Sequence, residues 1–387
     1  VPAASALLAD YGAEIIKIEH VERGDAMRGL ASSGLAVLGG AVHVLLEHSN
    51  RGKRSLGLDL TQPDGLDLLY RLAATADVFI TNKLPAVRAR LKIDVDDIRS
   101  HNPNVIYVRG TGQGERGPDA DLGSYDALAY WARSGVALGS TPPSSGRVAQ
   151  PPAPAFGDSI GAMTIAGGIM GALFHRERTG TPTVVDVSLL ATGLWSMGAA
   201  MAMSMHLGLP WRAPEPDSPS GNPLSAVYRT KDDRYIALTC LQPGKYWPPA
   251  ATLIGQPELA VDPRFADGES IVAHAGEAAA ILGAAFAERP FEEWVERLAA
   301  FPGQWAPVQT TLDAEHDPQT VANGYVQGVR AADGTTFKLV AAPVQYDGEP
   351  ARPTRAPEFN EHGDAILESL GLDWDTIVDL KVRGVVA

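Results

Sequence analysis

Ser55-Leu-Gly-Leu-Asp-Leu60, Gly65-Leu-Asp-Leu-Leu-Tyr-Arg-Leu-Ala-Ala74 and Asp77-Val-Phe-Ile-Thr81 follow one another with only short polar breaks. Two short apolar runs of β type flank a helical pattern, and this is the signature of a βαβ unit in a parallel sheet. Working outward, similar runs recur at Glu14-Ile-Ile-Lys-Ile-Glu19, Asn104-Val-Ile-Tyr-Val-Arg109 and Val184-Val-Asp-Val-Ser188. A Gly- and Ala-rich apolar run over residues 160–174 reads as a buried helix, too short on its own to span a bilayer. A further helix is expected over residues 189–205. The chain opens on a helix-like segment, Val1-Pro-Ala-Ala-Ser-Ala-Leu-Leu8, without a signal-peptide pattern, and a strand is expected to precede it.

The composition changes after residue 208. Residues 209–224 are dense in Pro, Ser and Gly, which is linker chemistry. Beyond them come a hairpin over residues 227–236, helices over 277–287 and 290–300, and a second hairpin over 326–339. A Pro-rich stretch over 344–357 leads to a final helix over 361–370. The fold class expected is therefore α/β: a Rossmann-like large domain with a parallel sheet (1–208, rejoined by 358–387) and a smaller α+β domain (225–343). The two linkers are 209–224 and 344–357. The 387-residue length also favours two domains.

The net charge of −14 argues against a nucleic-acid partner. The single cysteine, Cys240, lies in the strand-like run Tyr235-Ile-Ala-Leu-Thr-Cys-Leu241. It reads as a buried structural thiol in a reducing, cytoplasmic setting. The nine histidines show no metal-ligand spacing, so no metal site is expected. Gly112-Gln-Gly114-Glu-Arg-Gly117 matches a dinucleotide-binding string, but Pro118-Asp-Ala-Asp121 follows where that motif must open a helix. A glycine-rich loop at the C-terminal end of a strand fits better. Asp158, in Phe156-Gly-Asp-Ser-Ile-Gly161, precedes the apolar helix. It reads either as an N-cap or as a functional carboxylate held ionised at a helix start, with Gly157 allowing a substrate to approach.

These strings, taken in order, resemble the family III CoA-transferases, the CaiB/BaiF group. The resemblance runs through Leu7-Leu-Ala-Asp-Tyr-Gly-Ala-Glu-Ile-Ile-Lys-Ile-Glu19, Asn50-Arg-Gly-Lys-Arg-Ser-Leu-Gly-Leu-Asp-Leu60 and Ala76-Asp-Val-Phe-Ile-Thr-Asn82. It continues through Asn102-Pro-Asn-Val-Ile-Tyr107, Tyr125-Asp126, Gly157-Asp-Ser159, His175-Arg-Glu-Arg-Thr-Gly180, Asp262-Pro-Arg-Phe265 and Trp305-Ala-Pro-Val308. It implies an interlocked homodimer acting on acyl-CoA and carboxylic acid substrates, with no permanently bound cofactor and no membrane or nucleic-acid partner. It also implies that Asp158 is a nucleophile passing through aspartyl anhydride and aspartyl-CoA thioester intermediates.

The same resemblance places Asn82 and Arg90 near the bound CoA, with His20 where some relatives carry an arginine; Gly112 and Gly114, in the loop at a strand end, and Tyr125 complete the expected CoA contacts. Asn82-Lys-Leu-Pro85 stands where relatives often read Asn-Phe-Arg-Pro. Because the protein is acidic, the CoA phosphates need local cations, and Lys53, Arg54, Arg88 and Arg90 are the candidates. Backbone amides near Ser159 or residues 112–114 are candidate oxyanion donors, and Ser220-Gly-Asn222 is a candidate cover or a plain hinge. The fold also hosts α-methylacyl-CoA racemases, which carry a histidine and a glutamate where this chain has Tyr125 and Gln242, residues poorly suited to proton abstraction. A racemase-type isomerase and a non-catalytic acyl-CoA-binding protein are the alternatives.

Overall fold

Strand Ile106–Thr111 is buried on both faces, and the first unit of the structure is built around it. Ile106 and Val108 point to one side and Tyr107 to the other, the two-residue alternation of a strand. The computed structural model describes residues 1–30, 42–215 and 221–387. The chain divides into two compact units. The first comprises Val1–Thr141, Arg147–Trp211 and Val321–Ala387, and the second Pro142–Gly146 and Arg212–Thr320.

The first unit is α/β. In chain order it contains α1 (Pro2–Asp10), β1 (Ile15–His20), α2 (Val44–Asn50), β2 (Lys53–Leu58), α3 (Pro63–Thr75), β3 (Val78–Thr81), α4 (Pro85–Leu91), α5 (Val95–His101) and β4 (Ile106–Thr111). After β4 come a π-helix (Ala127–Arg133), the short α6 (Val136–Gly139), α7 (Phe156–Thr179), β5 (Val184–Ser188), α8 (Leu189–Ser196) and α9 (Gly198–Leu207). All ladders among β1–β5 are parallel, as the βαβ pattern requires. They form two sheets, β1–β2 and β3–β4–β5. The single sheet implied by joining β2 to β3 through α3 is therefore replaced by two ladders. Ile18 of β1 and Phe79 of β3 both pack against the cluster containing Leu69 and Tyr107.

Helix α7 packs Ala162, Ile165, Ala166, Ile169 and Ala172 against Ala4 and Leu7 of α1 and against Ile106 and Val108 of β4. Its 24 residues make it long and apolar enough to cross a membrane, which the 160–174 run alone did not suggest. Only one face is buried: Met163, Met170 and Phe174 are exposed. The helix expected over 189–205 is broken at Met197, between α8 and α9.

The hairpin Val326–Arg330 with Thr336–Val340, expected in the smaller domain, belongs to the first unit. Ala342, just beyond it, is packed in the α1–α7–β4 core. Helices Gly363–Ser369 and Trp374–Val382 then pack Ile366, Leu367, Ile377 and Leu380 on Leu56, Leu58 and Leu68.

In the second unit, strands Val227–Arg229, Tyr235–Leu238 and Trp305–Val308 form an antiparallel sheet. Helices Pro243–Leu253, Ala275–Ala287 and Phe291–Leu298 contribute to a core containing Trp247, Phe286 and Trp294. Cys240 is fully buried there, with Sγ 3.6 Å from the Gln304 carbonyl. Residues 216–220 of the expected linker, including Ser220 of the candidate cover, lie outside the described residues.

Candidate active site

Asp158 is the third residue of α7, not its cap. The cap position is Ala155, held at φ 56°, and it has no side chain able to accept a hydrogen bond. The acceptor comes from 31 residues upstream: Asp126 Oδ2 takes the Gly157 amide at 3.1 Å. This division of labour leaves Asp158 with no hydrogen-bond partner among the described residues. The carboxyl is open to solvent, yet enough protein surrounds it to disfavour its charge. Burial, followed by repulsion from Asp126, raises its pKa above the usual aspartate value. The helix N-terminus acts the other way, typically by about 0.3–1 kcal/mol.

Gly157 is there for Tyr130. A methyl group at residue 157 would lie 2.4 Å from Tyr130 Cγ, so the ring, not a substrate, fills the space that glycine leaves. Tyr130 is in the π-helix, a winding frequent at functional sites. Its hydroxyl donates to Ser196 Oγ at 3.0 Å, while Ser196 donates to Thr192 O, tying that helix to α8.

The glycine-rich segment after β4 opens no helix; residues 112–124 form a loop. Gly114 needs its φ of +105°, and its amide donates to Thr111 Oγ1 at 3.1 Å. The Ser159 amide is taken by Ala155 O at 3.0 Å. Two of the expected oxyanion donors are therefore already committed. Gly112 accepts the Leu190 amide at 3.0 Å and lies against Ser124, where a side chain would clash.

The expected CoA contacts separate into two groups. His20 ends β1, Asn82 follows β3, and Gly112 and Gly114 follow β4, all at C-terminal strand ends, where open α/β sheets bind ligands. Asn82 and Arg90 are exposed and without partners among the described residues. Tyr125, beside Asp126, is 80% exposed. His20 is exposed, with Nδ1 accepting the Glu22 and Arg23 amides at 3.2 and 3.3 Å.

Lys53 and Arg54 are at the opposite end. They begin β2 and pair with Ile15 and Ile16, while His20 pairs with Leu58, so roughly 13–17 Å of strand separates them from His20. Lys53 is buried, and all three of its donors are used: on Pro2 O at 2.8 Å, Ser49 O at 2.9 Å and Asn50 Oδ1 at 3.1 Å. Arg54 pairs with Glu14. Arg88 is not a solvated cation either; it is 1% exposed and bound to Glu115. A cleft of about 290 Å³ beside Lys53 and Arg54 is also lined by Arg355 and His362, but Arg355 is paired with Glu361. Sequence patterning alone missed the cap made by Asp126, because no local spacing signals a contact across 31 residues.

The family model described as CoA-transferase family III matches residues 1–363. The chain is 29% identical to a (R)-2-hydroxy-4-methylpentanoate CoA-transferase of Clostridioides difficile, over all of this chain and 95% of that one. It is 34% identical to a probable fatty acyl-CoA transferase, Rv3272, of Mycobacterium tuberculosis, over 89% of this chain and 88% of that one. A crystal structure of a CaiB/BaiF family protein from Brucella suis superposes with a TM-score of 0.81 at 27% identity, covering 95% of each chain.

Proposed function

Because this chain belongs to CoA-transferase family III, we propose that it moves CoA from an acyl-CoA donor to a carboxylic acid acceptor with Asp158 as the nucleophile. The observation that carries this reading is the Asp158 carboxylate, exposed in the first turn of α7 and without a hydrogen-bond partner among the described residues, with Asp126 doing the capping.

Asp158 attacks the donor thioester carbonyl, the C–S bond breaks, and a mixed anhydride and CoA thiolate result. The thiolate attacks the aspartyl carbonyl of the anhydride, releasing the donor acid and leaving CoA on Asp158 as a thioester. The acceptor carboxylate displaces that CoA through a second anhydride. The thiolate then attacks the acceptor acyl carbon, forming the new CoA ester and freeing Asp158. A carboxylate suits these steps because its anhydride is cleaved readily by a thiolate. His20, Asn82, Arg90, Gly112, Gly114 and Tyr125 remain the proposed CoA contacts. Lys53, Arg54 and Arg88 leave that set for structural roles.

The working form is proposed to be a homodimer. Helix α9 is apolar and has no buried residue, and Phe174, Trp195, Met205 and Leu207 stand exposed on the same unit. So much apolar surface calls for a partner, and a second copy of the chain supplies one.

The test is intact-mass analysis after incubation with acyl-CoAs and an acid quench. An adduct of acyl or CoA mass that vanishes in Asp158→Ala is the expected result. Acceptor screening should then include both branched 2-hydroxy acids and fatty acids, the classes named for the relatives. No adduct, together with deuterium exchange at the α-carbon of a 2-methylacyl-CoA, would replace the proposal with an isomerase.

A further inference from the structure

Loop 112–124 is fastened on both sides by charged groups. On the α4 side, Arg88 Nη1 donates to Glu115 Oε1 at 3.1 Å and to Lys83 O at 2.9 Å, and Nη2 reaches Glu115 Oε2 at 2.5 Å. Arg109 Nη1 also approaches Glu115 Oε2, at 3.1 Å, and its other nitrogens hold Asp186 of β5. Arg88 Nε faces Asp94 at 3.3 Å. A second tie joins the same two segments: Asp121 Oδ1 accepts the Ala86 amide of α4 at 3.0 Å. On the π-helix side, Arg133 Nη1 donates to Gln113 Oε1 at 3.0 Å and to Asp119 Oδ2 at 2.6 Å. That helix follows directly on Asp126, which caps the helix bearing Asp158.

A guanidinium buried to 1% exposure is costly to desolvate, and tying down a surface loop does not require one. A planar two-pronged donor does fix direction as well as distance. Arg88 holds the carbonyl of Lys83 and the carboxylate of Glu115 at once, so the segment after β3 and the segment after β4 cannot shift independently. These segments carry Asn82 on one side and Gly112 and Gly114 on the other. We infer that Arg88 and Glu115 are positioning residues for acyl-CoA, locking two strand-end loops into one preformed surface. The inference rests on the proposal that CoA binds at these strand ends.

The test compares Arg88→Met, Glu115→Gln and the double variant Arg88→Met/Glu115→Met with the wild type. For each, KM for acyl-CoA, kcat and the melting midpoint are measured, together with acyl-CoA binding by calorimetry. Each single change removes the two-pronged partner and leaves Glu115 with Arg109 alone or Arg88 with Asp94 alone, whereas the double change removes both charges, so the double variant is expected to regain part of the lost melting midpoint. If the pair positions the loops, KM and Kd rise about ten-fold or more in all three variants and stay high in the double, while kcat moves less than about three-fold. KM that recovers along with the melting midpoint, or KM unchanged throughout, overturns the inference. Wild-type protein that binds no acyl-CoA overturns the functional proposal instead. If a single variant fails to fold, the double variant still decides.

Discussion

Replacing Gly157 by alanine tests how tightly the candidate nucleophile is held. The new Cβ would lie 2.4 Å from Tyr130 Cγ and 2.7 Å from both Tyr130 Cβ and Cδ1. Carbon atoms prefer about 3.5 Å or more, so helix and ring must separate by about 1 Å. Tyr130 has little room to give, being 2% exposed and hydrogen-bonded to Ser196. The first turn of α7 is therefore the part expected to move, and Asp158 with it. Overpacking of this kind typically costs about 1–3 kcal/mol, while removing a helical glycine returns up to about 1 kcal/mol. The net loss should be about 1–2 kcal/mol, seen as a fall of a few degrees in the melting midpoint. A displacement near 1 Å at a reacting group can lower rate by about 10²-fold, so adduct formation should slow by one to two orders of magnitude. Gly283→Ala is the matched control, because a methyl there meets only Tyr228 Cδ1 at 4.0 Å, an ordinary contact. It should stabilise and leave adduct formation alone. Equal stability and equal adduct rates for the two variants would refute this account of the Tyr130–Gly157 contact.

Asp126→Asn keeps a capping acceptor but removes the negative charge that helps raise the Asp158 pKa. The reactive form is the carboxylate, so activity falls as pH drops through that raised pKa. The variant's acid limb should lie at lower pH than that of the wild type, and a pH–rate profile with an unmoved limb would sink the assignment. Lys53→Met takes a buried donor from the Ser49 carbonyl, and from Pro2 O and Asn50 Oδ1, which keep Ser5 Oγ at 2.9 Å and Lys17 Nζ at 2.7 Å. Leaving a buried acceptor without its donor costs about 1–3 kcal/mol, to be read by denaturant unfolding; a variant as stable as the wild type would contradict the three-bond arrangement. Trp195→Glu with Met205→Glu places charges on the exposed apolar surface. Light scattering is expected to report dimers for the wild type and monomers for the variant, and an unchanged mass would place the interface elsewhere.

The local pattern of the first unit was readable because it depends on residue type and spacing. The alternation in residues 104–109 and the helical period in 65–74 correspond to β4 and α3 within a few residues. Family membership was readable as well, since it lies in ordered strings such as Ala76-Asp-Val-Phe-Ile-Thr-Asn82 and Gly157-Asp-Ser159. Tertiary structure alone decided which charges are available. Lys53 and Arg88 look like any surface cations in the sequence, yet one is sealed under α1 and α2 and the other clamps Glu115. Burial and ion pairing depend on contacts between distant segments, and spacing along the chain carries no record of them. The same holds for Asp158: its sequence position allowed either a cap or a free carboxylate, and the choice was made by Asp126, brought to the Gly157 amide by the fold.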